Sequence, residues 1–82
     1  MKKLELRIVA MGSESGPPQF VDMVIIPCTN GDLGVLPGRA PCTMVVGKGN
    51  VRLLNEGEET RIPVVGGIAS VAGDVVTILA NE

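Results

Sequence analysis

Histidine is absent from this sequence of 82 residues, as are tryptophan and tyrosine, and Phe20 is the one aromatic side chain. Without histidine, Ser-His-Asp triads, His-based zinc sites and histidine pH switches are excluded. Without further aromatics, the core has to be built from Val, Ile, Leu and Met. Cysteine is scarce too: Cys28 and Cys42 form no CxxC pair and are too few for a four-cysteine metal site. They read as small buried hydrophobes, and a disulfide between them is disfavoured because no signal peptide or dense cysteine framework accompanies them. There is no long apolar run, and residues 1 to 10 alternate charge with hydrophobe. Neither a leader nor a membrane-spanning segment is therefore expected, and the compartment is expected to be cytosolic. An excess of positive charge is also missing. Seven basic against nine acidic residues give a net charge of −2, with no basic footprint for nucleic acid or anionic lipid.

Long stretches free of breakers are lacking as well. Eleven glycines and six prolines divide the chain, and the longest stretch without either, Met1 to Met11, has a period of two and not 3.6. Helices are thereby ruled out. In Lys3 to Val9, the apolar Leu4, Leu6 and Ile8 share one face while Glu5 and Arg7 take the other, the pattern of a half-buried strand. GSESGPP, Gly12 to Pro18, is a polar turn leading into Phe20 to Ile26, an apolar run with Asp22 as its single charge, expected to be one strand covered on most of both faces.

The sequence is organised around GDLGVLPGRAP, Gly31 to Pro41. Three glycines and two prolines surround the apolar Leu33, Val35 and Leu36, which predicts a folded turn with a hydrophobic anchor and not a flexible linker. Gly34 and Gly38 read as sites of positive φ or close approach, while Pro37 and Pro41 fix φ and remove two donors. The loop should hold one shape and present Asp32 and Arg39 from a stiff support.

Beyond it, Cys42 to Val46 reads as a short strand that GKGN, Gly47 to Asn50, turns into Val51 to Leu54. Asn55-Glu56-Gly57 then supplies a hairpin signal before Glu58 to Val65. Pro63 marks that run as an edge strand or a bulge. Gly66-Gly67 leads into Ile68 to Ala72, and Gly73-Asp74 forms a two-residue turn into Val75 to Ala80. Seven or eight short strands with turns every eight to twelve residues predict an all-β, antiparallel sandwich or small barrel comprising one domain, residues 1–82.

No constellation for chemistry emerges. Glu56, Glu58 and Glu59 crowd a hairpin tip, where solvated acids keep an edge from aggregating. GKGN lacks both the spacing of a phosphate loop and a following helix. Either cysteine, as a nucleophile, would need an activating base in a chain without histidine. No catalytic, cofactor-binding or metal-ligating residue is expected, and residues alone describe a small β interaction module with Asp32 and Arg39 as its best surface candidates.

Gly31 to Pro41 closely resembles the signature loop of the ε subunit of F-type ATP synthases, with Arg39 where that family usually has histidine. Leu6 to Val9 is similar to its first strand, Val21 to Pro27 to the strand entering the loop, Val64-Val65-Gly66-Gly67 to its paired-glycine segment, and Val76 to Ala80 to its last strand. The resemblance implies a β-sandwich of about ten strands and a non-catalytic, cofactor-free rotor subunit that links the γ subunit to the c ring of a proton- or sodium-translocating synthase. It would be peripheral to the cytoplasmic face of a bacterial membrane, without direct insertion. It carries a ring-contact role onto Asp32 and Arg39, a γ-contact role onto Ala10 and Met11, and a structural role onto Gly31, Gly34, Pro37, Gly38, Pro41, Gly66 and Gly67. Residues Gly12 to Phe20 depart from the family pattern. The C-terminal helical hairpin that family members normally carry, credited with restraining ATP hydrolysis and in some with binding ATP, is not found in these residues. The alternative is a free-standing β-sandwich adaptor with an unrelated partner.

Overall fold

Alternation of apolar and polar residues is realised as nine strands in the computed structural model, which describes residues 2–10 and 17–81, with Ala10 by its backbone alone. They are β1 (Leu4–Ala10), β2 (Gln19–Val21), β3 (Met23–Cys28), β4 (Gly31–Val35), β5 (Cys42–Val46), β6 (Gly49–Asn55), β7 (Glu58–Val64), β8 (Gly67–Ala72) and β9 (Val75–Ala80). No helix forms among the described residues.

The sheet runs β2-β1-β9-β8-β5-β3-β6-β7, with β4 on the free side of β3. It closes on itself as a sandwich: β2, β1, β9, β8 and β5 form one layer, and β4, β3, β6 and β7 form the other. The layers join at a corner of β3. After pairing Met23 to Ile25 with β6, this strand meets β5 at the single pair Cys28 and Val46. There the Gly47 N–H donates to the Pro27 carbonyl at 2.7 Å.

Every second residue points between the layers. Leu4 and Leu6 of β1, Val76 and Ile78 of β9, Ala69 and Val71 of β8, Val24 and Ile26 of β3, and Val51 and Leu53 of β6 are buried, and Val21, Val35, Val46 and Val64 close the ends. No polar or charged residue is buried with them among the described residues. The core is aliphatic, as the scarcity of aromatics required, and each fully buried Leu, Ile or Val stabilises it by about 1.5–3 kcal/mol.

Three expectations are corrected. β1 pairs with β9 in parallel, so the sandwich is antiparallel everywhere except at the meeting of its first and last strands. Period-two patterning is the same for both orientations and does not encode which occurs. The apolar run from Phe20 to Ile26 is two strands, broken at Asp22, and Phe20 is exposed. Finally, Gly31 to Pro41 is not one turn: its first half is β4, paired along its length with β3, and the loop proper begins at Leu36.

Other expectations match. β7, which carries Pro63, is the outermost strand of its layer. The two-residue link between Asn55 and Glu58 has positive φ at Glu56 (52°) and Gly57 (83°), the signature of a tight hairpin whose twist matches that of its strands.

Candidate functional site

The sandwich has two outer faces of opposite character. On the β1-β9-β8-β5 layer, register lines up Val9, Leu79, Ile68 and Val45 as direct neighbours across four strands. Leu79 is 53% exposed, Ile68 51% and Val45 60%. The row beside it, Arg7, Thr77, Ser70 and Thr43, is polar. A contiguous exposed apolar stripe of this kind is a candidate interaction surface. Sequence reading missed it, since each member looked like the ordinary apolar half of a strand.

The β4-β3-β6-β7 face carries charge. Asp32 of β4 accepts a hydrogen bond from Arg52 Nη2 of β6 at 3.1 Å, reaching across β3. Arg61 of β7 donates through Nε to Glu59 at 2.6 Å. Asp32 is thus held by a partner twenty residues away in sequence.

The loop of Leu36 to Pro41 lies at the other end of β4, about 13 Å of strand beyond Asp32. Asp32 and Arg39 are therefore not presented together from one turn, as their spacing had suggested. The loop is held nonetheless: Asp74, in the β8–β9 turn, accepts the Gly38 N–H on Oδ1 at 3.0 Å, while its backbone carbonyl accepts the Glu5 N–H at 2.7 Å. Gly38 has a φ of 87°, a left-handed conformation that a side chain would strain. Leu36 projects from the loop, 56% exposed, and Arg39 is exposed with no hydrogen bond or ion pair among the described residues. Pro37 is half-buried and Pro41 is exposed.

Close approach explains Gly67, where a Cβ would lie 2.0 Å from the Leu79 carbonyl oxygen; at Gly34 a Cβ would have to displace only the flexible end of the Met23 side chain. Gly67 sits between β5 and β9, opposite Val46 and Ala80; beside it, Gly66 accepts the Asn81 N–H at 2.9 Å. Gly31 opens β4 opposite Cys28. Ala10 closes β1 opposite Ala80, next to Val9 of the apolar row; Met11 lies outside the described residues.

A third cluster fastens the break between β2 and β3. Asp22 accepts the Glu56 N–H at 2.8 Å, and Lys3 Nζ lies 2.8 Å from Asp22 Oδ1, an oxygen otherwise buried without a partner. Lys3 also donates to Asn55 Oδ1 at 2.5 Å. The Glu56 N–H, with Lys3 beside it, holds the Asp22 carboxyl below the usual carboxylate range, and the bond to Asp22 raises Lys3 above the usual lysine range. The cluster holds Glu56 at its positive φ.

Cys28 and Cys42 are free, half-buried and packed against the core. Burial, reinforced by the nearby Asp32 charge, pushes the Cys28 thiol up and keeps it protonated. No cluster of three or more His, Cys, Asp or Glu side chains that would suit a metal ion occurs among the described residues.

This arrangement agrees with comparisons to known proteins. Residues 3–82 match the family described as the ATP synthase Delta/Epsilon chain, beta-sandwich domain. ATP synthase epsilon chains are similar: that of Granulibacter bethesdensis is 44% identical over 76% of this chain and 47% of its own length, and that of Bacillus subtilis 39% identical over 99% and 61%. The sequence thus spans about half to three-fifths of the relatives it matches. In fold, a chain of the Euglena gracilis mitochondrial ATP synthase superposes with a TM-score of 0.90 over the whole of this chain and 52% of that one, at 23% identity. A chain of the Tetrahymena thermophila central stalk and c-ring structure gives 0.77 over all of this chain and 67% of that one, at 12% identity. Matched along nearly its whole length and folded as those domains are, the chain belongs to the ATP synthase delta/epsilon family, as its β-sandwich domain.

Proposed function

We propose that this domain is a non-catalytic part of the rotor of an ion-translocating F-type ATP synthase, joining the γ subunit to the c ring at the cytoplasmic face of the membrane. The observation that carries the reading is the apolar row Val9, Leu79, Ile68 and Val45, in register across four strands and open to solvent. A rotor element must grip its shaft without slipping, and a flat sheet face with a central apolar band gives a rigid, low-entropy contact for γ. Ala10, which the resemblance assigns to the γ contact, ends β1 next to Val9, at the margin of that row.

The ring contact falls on Asp32 and Arg39, at two separate points. Asp32 is steadied by Arg52 and Arg39 by the fastening of its loop to Asp74, so each charge docks with little ordering cost. The test is co-expression with γ followed by purification on a tag carried by γ. The chain is expected to co-purify, and Ile68→Asp is expected to be lost from the complex. Failure of the unaltered chain to associate with γ overturns the rotor reading.

A further inference from the structure

We propose that the charged face contains a phosphate-binding hollow built by Lys48, Asn50, Arg52 and Arg61. This goes beyond the rotor reading and rests on different residues from those assigned to γ. The hollow, about 220 Å³, is lined also by Pro27, Gly49 and Asp32. Three cations and one carboxylate, Asp32, line it, with Glu59 paired to Arg61 beside it, in a chain whose net charge is −2. Overall charge conceals this grouping because the three residues come from the β5–β6 turn and from two strands.

Register sharpens the point. Arg52 and Arg61 stand directly opposite each other in the antiparallel β6–β7 pair, and like charges so placed repel. Each guanidinium is only partly engaged: Arg52 by Nη2 to Asp32, and Arg61 by Nε to Glu59. Since a guanidinium offers five N–H donors, both keep free donors beside the hollow. Lys48 has no ion pair among the described residues. An anion between the two arginines would turn the repulsion into attraction on both sides. A tetrahedral phosphate suits three cations on separate supports, whereas a carboxylate is satisfied by one planar fork. The phosphate is either free in solution or carried by a lipid headgroup; the chemistry is shared.

The experiment titrates inorganic phosphate into the isotopically labelled 82-residue chain at constant ionic strength, with chloride as the control, and follows amide and arginine Nε signals by NMR. Saturable shifts at Asn50, Arg52 and Arg61, absent with chloride, are expected. Arg61→Gln should weaken binding about tenfold, the loss of one charge-assisted contact; Lys48→Gln, in an exposed turn, provides a second variant independent of the β6–β7 pair. A parallel arm measures sedimentation with vesicles of phosphatidylglycerol or of phosphatidylcholine. Sedimentation with the first alone, abolished by Arg61→Gln, assigns the phosphate to a lipid, and free-phosphate shifts without sedimentation assign it to solution. Shifts equal in phosphate and chloride, or none, together with no vesicle binding, overturn the proposal. None of these results bears on co-purification with γ.

Discussion

The two outer faces of the sandwich are made by the same alternation of residues and yet differ in kind. On the β1-β9-β8-β5 face, the outward positions gather aliphatic side chains into a row. On the β4-β3-β6-β7 face, they hold two ion pairs, Asp32 with Arg52 and Glu59 with Arg61. The inner faces are indistinguishable, both aliphatic and both buried. Inward positions are constrained by folding and outward ones are free of it, so the contrast between the faces reports on what each meets.

The contrast breaks most sharply when an inner residue is set against its outer neighbour on one strand. Ile78→Ala, inside β9, should destabilise the domain by about 2–5 kcal/mol, seen as a lowered midpoint in urea unfolding. Leu79→Asp, the next residue but outside, should leave that midpoint almost unmoved, within about 0.5 kcal/mol, while costing about 2 kcal/mol or more in affinity for γ, as loss of a central apolar anchor does. A titration of γ with both variants would distinguish a covered surface from an idle one. On the opposite face, Arg52→Gln removes an exposed ion pair and should cost under about 1 kcal/mol of stability. Charge reversal by Asp32→Lys or Arg39→Glu should spare folding and γ binding but loosen attachment to the membrane sector and uncouple hydrolysis from ion pumping, read as ATPase activity against pumping in reconstituted vesicles.

The mildest effect is a pH dependence at the fastened break between β2 and β3. Because the Asp22 carboxyl is held below its ordinary value of 3.8, its contribution to stability is full above that pH and disappears as pH falls through the lower folded value. Lys3, raised above 10.5, contributes fully below that pH and loses its share as pH rises through its folded value. Thermal melts across the acid range should show a limb that Asp22→Asn flattens.

Much of this was legible in the residues. The strands expected over Lys3 to Val9, Cys42 to Val46 and Val75 to Ala80, the edge position of Pro63 and the aliphatic core all follow from alternation, proline chemistry and the scarcity of aromatics, which act locally. What escaped is non-local. The bond from Asp22 to Glu56 breaks an apolar run that looked continuous. The pairing of β4 with β3 converts half of a glycine- and proline-rich loop into a strand. The reach of Arg52 to Asp32 and the hold of Asp74 on Gly38 join segments that nothing in local pattern connects, and the apolar row exists only once four strands are in register. The resemblance to the ε subunits supplied the family, but the faces had to come from the fold.

The parallel meeting of β1 and β9 also sets an order of assembly. Glu5 stands opposite Val75, so β1 acquires its main neighbour, β9, only once all the strands between the two have been made. The β6–β7 and β8–β9 hairpins, each closed by two residues, need about 1–10 μs, whereas joining β1 to β9 incurs the loop-closure cost that makes such topologies slow, on the scale of milliseconds to seconds. Folding is thus expected to start in the two local hairpins, β6–β7 and β8–β9, and to finish when β9 docks along β1, completing the apolar row in the same motion that completes the fold.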